Sequence, residues 1–410
     1  MSSIVRKWTG TSLVLRIAIG LVIGAILGLV VPQWTGIGLL GHIFVSALKA
    51  IAPVLVAFLV CSSIAKAQGG LGPRFRTVII LYLSATLVAA AIAVAGSFLF
   101  PVTLTLHDAA SGSAPGGLAD VFRNLLTKMV MNPLEAVATA NYIGILFWAI
   151  IMGLGLKMVA SDGTIKVISE ISDVITLMVK WIIQFAPFGI LGLVFTAVSE
   201  SGLEIFTTYG RLLLLLVGCM LTSVLIFNPL ISFLATRQNP YPLLFTCLKE
   251  SGINAFFTRS SAANIPINME LCRKLGIEED FYSVSIPLGA TVNMNGAAVT
   301  ITVMTLAVAN TMEIEVSFAS ALFLSVIATL GACGASGVAG GSLLLIPMAC
   351  SFFGIPNDIA MQAVAIGFII GVVQDSVETA VNSSGDAFFT ATADAVAVRK
   401  AKLRPEGERE

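Results

Sequence analysis

Charge is what this 410-residue sequence has least of: 11% of its residues are Asp, Glu, Lys or Arg, against 57% apolar. Its mean hydropathy is +0.96. A soluble chain of this length needs far more polar surface, so the repeated long apolar runs mean a polytopic membrane protein. The 23 basic and 23 acidic residues cancel, which removes any electrostatic reason to expect a nucleic-acid partner. Histidine occurs only at His42 and His107, which form no metal-ligand cluster. The six cysteines (Cys61, Cys219, Cys247, Cys272, Cys333, Cys350) contain no CxxC pair and read as reduced, apolar-packed thiols.

What is present is a series of apolar runs. The first, Leu13 to Val31, follows MSSIVRKW without a small-residue cleavage site and reads as an uncleaved span. Gly20, Gly24 and Gly28 fall four apart on it and predict the close approach of another helix. Further spans are expected at Ile37 to Ala65 with a kink at Pro53, Thr77 to Phe100, Tyr142 to Val159, Ile165 to Val198 bent at Pro187, and Leu212 to Ala235 broken near Asn228-Pro229. The Gly/Ser/Pro-rich stretch from His107 reads as a surface loop. Lys and Arg gather at Arg6/Lys7, Lys66 to Arg76, Lys157/Lys166, Arg237, Arg273/Lys274 and from Arg399 onward, which predicts cytoplasmic termini.

After Arg237 the pattern changes. The segment Pro240 to Leu275 is interrupted by FFTRSSAANIP, starts and ends beside basic residues, and is expected to be re-entrant. A span from Tyr282 to Ala309 carries the break NMNG, Asn293 to Gly296. A second broken piece, Phe318 to Phe353, has the tip GACGASGVAGGS, Gly331 to Ser342. The last span, from Ile359, runs into DSVETAVNSSGD, Asp375 to Asp386. Ile265-Pro266 and Ile346-Pro347 follow the two tips, and each then leads to a span with a polar interruption, at Asn293 to Gly296 and Asn382 to Asp386. Paired, Gly/Pro-interrupted apolar segments point to a transporter's binding site. The fold class is therefore an all-α polytopic membrane protein with weak inverted repeats: eight transmembrane helices plus two re-entrant helical hairpins.

Asp375, Thr379, Asn382 and Asp386 step by four, three and four, so they share one helix face, with Glu378 at its edge. Ionisable groups at membrane depth line a pathway or hold a ligand; the alternative, a wet helix end, fits poorly because Asp375 lies well inside the span. Ser260, Ser261 and the backbone of the glycine-rich tip around Ala335 could hold an amino acid's carboxylate, and Asp375 its ammonium. Asp386, with carbonyls freed at NMNG and near Asn382, would suit Na⁺. A solvated turn at the serines and a plain kink at NMNG stay open beside these roles. The glycine tip lacks the lysine of a phosphate loop and follows no strand. GASG (Gly334 to Gly337) resembles the motif of intramembrane serine proteases, but no histidine follows His107 to serve as a base; SSGD (Ser383 to Asp386) loosely resembles that of intramembrane aspartyl proteases, but Ser383 stands where the usual glycine would be. Charged rings of an open channel are not evident.

Four motifs in order, TRSSAANIP, SIPLGATVNMNGAAVT, GACGASGVAGGS and DSVETAVNSSGD, resemble the glutamate-transporter-like dicarboxylate/amino acid:cation symporters. Within these the chain is similar to the bacterial sodium:serine/threonine symporters. The resemblance implies a transporter and not an enzyme, in the bacterial cytoplasmic membrane, coupling sodium to import of serine and threonine; a broader neutral amino acid symporter or exchanger is the alternative. It implies a homotrimer with an elevator mechanism: a static scaffold (12–66 and 134–200), a transport unit (77–105 and 207–396), an extracellular loop (106–130) and a cytoplasmic tail (397–410), with the second hairpin as gate. The substrate residues so implied are Ser260, Ser261, Ala335, Asp375, Glu378, Thr379 and Asn382. One sodium site would use Gly289, Asn293, Asn382 and Asp386, and a second Thr291, Thr329, Leu330 and Ala332. Three departures stand out: Glu378 and Ala297 where acidic-amino-acid carriers have an arginine and a threonine, and Asn295 where the family usually has an aspartate. They imply rejection of acidic substrates and fewer coupled sodium ions.

Overall fold

The computed structural model describes residues 11, 13–66, 73–106, 127, 129–139, 141–202, 204–333, 335 and 340–402. Most of the expected loop from His107 to Lys128, the glycine tip at Gly334 and 336–339, residues 67–72 of the basic connection, and 403–410 of the tail lie outside them. Every element among the described residues is helical: α1 (Leu13–Val30), α2 (Gly38–Lys66), α3 (Pro73–Leu99), α4 (Pro133–Ala138), α5 (Tyr142–Val159), α6 (Asp162–Gln184), α7 (Ala186–Ser201), α8 (Glu204–Thr222) and α9 (Asn228–Thr236). Then follow α10 (Tyr241–Cys247), α11 (Ile253–Thr258), α12 (Ser261–Lys274), α13 (Glu279–Val292), α14 (Asn295–Thr311), α15 (Phe318–Ala332), α16 (Ile346–Phe352) and α17 (Asn357–Lys402). Four stretches are long and apolar enough to cross a bilayer, Pro73–Leu99, Tyr209–Thr236, Glu279–Thr311 and Asn357–Arg399, and the bent pair α6–α7 adds a fifth.

One group of helices is built on α2, which packs against α5, α6 and α7, while α1 runs along α7. The glycine stripe explains the second contact. A Cβ on Gly20, Gly24 or Gly28 would strike the backbone oxygens of Pro187, Leu191 and Phe195, which also step by four. Arg16 does not disturb this packing, because its guanidinium donates to Gln184 Oε1 at 3.1 Å. The bend expected at Pro187 falls two residues earlier, at Phe185, with α6 and α7 meeting at 53°. Proline lacks an N–H, so it takes the first turn of α7, where no partner is needed. Pro53, by contrast, sits inside a helix that continues to Lys66.

The second group centres on α17, which touches α3, α8, the α11–α12 hairpin, α13, α14 and α16. Two expectations are corrected here. The break near Asn228-Pro229 is instead a wide π turn, Ser223–Phe227, that keeps α8 and α9 continuous. Pro229 crowds the carbonyl of Leu225 four residues back, and the wider turn makes room for it while Tyr241 Oη donates to the freed oxygen at 3.3 Å. The polar interruption at Asn382 to Asp386 is no interruption, since α17 runs unbroken from Asn357 to Lys402. Its small polar side chains bond back to their own helix, Thr379 Oγ1 to the Asp375 carbonyl at 2.7 Å and Ser384 Oγ to that of Ala380 at 2.6 Å.

The break in the other span is real: α13 ends at Val292, Asn293 and Met294 are non-helical, and α14 starts at Asn295. Both broken pieces form helical hairpins. The first runs up α10, a π turn (Leu248–Gly252) and α11, reverses at Arg259 and Ser260, and returns along α12. Arg259 adopts a left-handed φ of 52° and Ser260 is extended, capping α12 by accepting from Ala263 N at 3.2 Å. The second comprises α15, the glycine tip, a 3₁₀ turn (Ser342–Leu345) and α16.

Candidate functional site

The polar face of α17 is buried along its whole length, from Asp375 through Glu378, Thr379 and Asn382 to Asp386. Glu378, at the edge of that face, is as buried as the rest of it.

At its inner end, Asn293 in the NMNG break donates Nδ2 to Asp386 Oδ1 and to the Asn382 carbonyl, both at 3.0 Å. The carbonyl of Asn382 is thus an acceptor in a continuous helix, not one freed by unwinding. Gly289 lies against the same carboxylate; a Cβ there would come within 2.9 Å of Asp386 Oδ1 and 2.8 Å of Tyr82 Oη. Tyr82 Oη is 2.9 Å from Thr390 Oγ1 and packs the cluster from α3. Two acceptors remain without donors, Asp386 Oδ2 and Asn293 Oδ1, both fully buried. Leaving such groups unpaired costs about 1–3 kcal/mol each, more for a charged one. A donor set of carboxylate, amide and carbonyl oxygens is what a hard monovalent cation takes, and the two orphaned oxygens fit one.

The hairpin beneath α17 shows what a purely structural cluster looks like. Asn264 Nδ2 donates to Ser383 Oγ at 2.7 Å and Ser251 Oγ at 2.9 Å, and its Oδ1 accepts from Asn254 Nδ2 at 2.6 Å. Asn268 Nδ2 donates to the Ser383 carbonyl at 2.9 Å. In that network only Asn268 Oδ1 lacks a donor.

Asn382 joins the two ends of the face. Its Oδ1 accepts from Gly296 N at 2.7 Å, capping the start of α14, and its Nδ2 rests on Met294 Sδ at 3.4 Å, a weak acceptor that a stronger one would displace. At the outer end Asp375 is not free. Arg259 Nε donates to its Oδ2 at 2.6 Å, and Gly340 N, from the second hairpin, to its Oδ1 at 3.1 Å. Glu378 accepts three bonds on Oε2, from Thr300 Oγ1 (2.7 Å), Ser342 Oγ (2.8 Å) and Gln374 Nε2 (2.6 Å).

Arg259, Thr300, Ser342 and Gln374 were not singled out by the sequence. Arg259 could have been, as the one cation in a hairpin tip too deep to snorkel. Gln374 lies one turn before Glu378, on the same face.

The two implied sodium sets differ in how closely they assemble. Gly289, Asn293, Asn382 and Asp386 are in contact. Thr291, Thr329, Leu330 and Ala332 sit at two helix C-termini, those of α13 and α15, which meet where Cys333 Sγ reaches the Val292 carbonyl at 3.7 Å. Two carbonyl-bearing ends face to face favour a cation between them. Thr291 Oγ1 and Thr329 Oγ1 donate to the carbonyls of Leu288 (2.9 Å) and Ser325 (2.7 Å), and Leu330's side chain is exposed, so backbone oxygens are the main candidates there. Ser261 is buried at the start of α12, Ser260 is half-buried as its cap, and Ala335 is buried at the second tip.

Helices long enough to span a bilayer, two hairpins and a buried acid-and-amide face where they converge define a polytopic membrane transporter, not an enzyme. The sodium:dicarboxylate symporter family matches residues 13–396, and the chain belongs to that family. Among its relatives, the serine/threonine transporter SstT of Bifidobacterium adolescentis is 57% identical over 94% of this chain and 90% of its own length. The serine/threonine transporter SstT of Streptococcus thermophilus is 54% identical over 96% of this chain and 98% of its own.

Proposed function

We propose that this protein imports serine and threonine across the bacterial cytoplasmic membrane, driven by sodium. The observation that carries the reading is the chemistry of the α17 face: a buried carboxylate with an orphaned oxygen at one end, and at the other a carboxylate, Glu378, that has no cationic partner among the described residues. The first suits a metal ion. The second suits a neutral side chain that can donate a hydrogen bond and repels an acidic one. Both relatives' names agree with it.

In this scheme Asp386, Asn293, Asn382 and Gly289 take one sodium ion, and backbone oxygens near Thr291, Thr329, Leu330 and Ala332 a second. Asp375 receives the substrate ammonium. Asn382 Nδ2, the α12 N-terminus at Ser260 and Ser261, and the tip around Ala335 receive its carboxylate, with Thr379 beside them. Asp375 must then exchange part of its contact with Arg259 or Gly340 for the ammonium. The α1–α2–α5–α6–α7 group serves as scaffold (12–66, 134–200) and the α17-centred group as the moving unit (77–105, 207–396). Eight spans and two re-entrant hairpins, cytoplasmic termini, a homotrimer and elevator movement complete the scheme as the family resemblance implies.

Uptake by proteoliposomes with and without an inward sodium gradient tests it. Serine and threonine accumulate only with the gradient, and aspartate does not. Alanine taken up as well as serine favours the broader neutral carrier; sodium-independent serine uptake refutes the proposal.

A further inference from the structure

We infer that Ser342 is a specificity-determining residue, acting as a positioning group: its hydroxyl fixes the Glu378 carboxylate so that the remaining oxygen faces the hydroxyl of a small amino acid. The inference rests on the transport reading above and adds to it a residue to which that reading gives no role.

The terminal torsion of a glutamate is soft and nearly two-fold, so a lone Glu378 would not aim either oxygen. Here three donors converge on Oε2, at 2.7, 2.8 and 2.6 Å, while Oε1 has no partner among the described residues. A plane pinned on one oxygen presents the other in a fixed direction. Two of the three donors come from the helical body: Thr300 on α14 and Gln374 on α17. Gln374 Nε2 also lies 2.7 Å from Thr300 Oγ1, so its hold on Glu378 is shared.

Ser342 alone comes from the second hairpin, opening the turn Ser342–Leu345, and it is buried. Two residues before it, Gly340 N donates to Asp375 at 3.1 Å. The second hairpin therefore touches Asp375 and Glu378 at once, one by a backbone N–H and one by a hydroxymethyl group. Seating that hairpin completes the set of donors that aims Glu378, so recognition of the substrate hydroxyl and closure over it become one event. Hydroxyl preference is then a property of the closed site and not of α17 alone.

The test is the KM for serine of Ser342→Ala and Ser342→Thr in proteoliposomes, alongside half-saturating sodium and melting temperature in detergent. A buried hydrogen bond is worth up to about tenfold, and one of three orienting bonds is removed, so Ser342→Ala should raise the serine KM about fivefold to tenfold. Sodium dependence and stability stay as in the wild type, and Ser342→Thr, which keeps the hydroxyl, restores the KM to within about twofold. An unmoved or lowered KM in Ser342→Ala overturns the inference; a lowered value would mean that Ser342 competes with the substrate for Glu378. A Ser342→Thr variant as impaired as the alanine one, or losses of stability and sodium affinity in parallel with KM, reduce Ser342 to packing and overturn it too. If the wild type shows no sodium-driven serine uptake, the transport reading falls and takes this inference with it. Intact wild-type uptake with a failed Ser342 result overturns the inference alone.

Discussion

Replacing Asp386 by asparagine changes one atom and, on the reasoning above, removes the anionic half of a cation site. The wild-type carboxylate uses Oδ1 to accept from Asn293 Nδ2 at 3.0 Å and leaves Oδ2 buried without a donor. The amide can keep the first contact only by presenting its NH₂ where Oδ2 was, so a donor then points at the place a sodium ion would take. Removing one partner of a buried charge pair typically costs 3–5 kcal/mol. At about 1.4 kcal/mol per decade, half-saturating sodium should rise by about two to four orders of magnitude. Asp386→Ala should do at least as much, since it also leaves one of the two Asn293 Nδ2 hydrogens unpaired. The assay is initial serine uptake by proteoliposomes as a function of external sodium at constant ionic strength. If half-saturation of Asp386→Asn lies within about threefold of wild type, the orphaned oxygens do not mark a sodium site and the assignment of Gly289, Asn293 and Asn382 falls with it.

Glu378→Gln keeps one acceptor but loses the charge, so the serine KM should rise about tenfold while aspartate begins to compete for uptake; aspartate transport by the wild type would disprove discrimination by charge. Asn295 has its Oδ1 2.9 Å from Thr86 Oγ1 and its Nδ2 donating to Asn228 Oδ1 at 3.3 Å, so both ends of the amide are engaged where the family's usual aspartate would offer an ionised oxygen. A charge-to-flux measurement should therefore give at most two positive charges per serine, and three would contradict this. Arg259→Ala leaves the Asp375 carboxylate buried with only Gly340 N against it. A loss of about 3–5 kcal/mol is expected, read as a fall in melting temperature together with lost uptake, and an undisturbed variant would show that the pair is dispensable. Gly24→Leu drives a side chain into the Leu191 backbone and should separate α1 from α7, costing about 1–3 kcal/mol or more and lowering thermal stability in detergent without altering the sodium dependence of the protein that remains folded.

What the sequence made legible follows from which forces act locally. The glycine stripe on α1 was readable because close helix approach needs small residues at a fixed period, and its partner oxygens at Pro187, Leu191 and Phe195 share that period. The NMNG break was readable because two asparagines one residue apart and a glycine favour non-helical backbone. The same rule failed at Asn382 to Asp386, where Ser384, like Thr379 a little earlier, returns its hydroxyl to a carbonyl of the preceding turn and the helix survives. It failed again at Pro229, whose missing donor is absorbed by a π turn and by a hydroxyl from Tyr241. The partners of Asp375 and Glu378 were invisible for a different reason. Arg259 is 116 positions from Asp375, and Thr300 is 78 from Glu378, so no periodicity within a helix could bring them together.

The two hairpins are fastened to α17 by different chemistry, and this bears on which of them moves. The first is zipped by neutral amide and hydroxyl bonds among Ser251, Asn254, Asn264, Asn268 and Ser383, and at its tip Arg259 pairs with Asp375. The second, among the described residues, bonds to α17 through Gly340 N on Asp375 and Ser342 Oγ on Glu378. Those acceptors are the carboxylates proposed to read the amino acid, so whatever engages Asp375 bears on both hairpins, through Arg259 and Gly340, while whatever engages Glu378 bears directly on the second alone. A ligand shifts a conformational equilibrium only by its differential interaction with the two states. At Glu378 that difference exists for the second hairpin and not for the first, which fits the second serving as the proposed gate. Sodium enters the same balance through Asn293, which holds Asp386 with the amide that also holds the Asn382 carbonyl, while the Asn382 side chain caps α14 at Gly296. An ion at Asp386 thereby bears on the residue proposed to receive the substrate carboxylate. Coupling of the two cargoes needs no wire longer than those two asparagines.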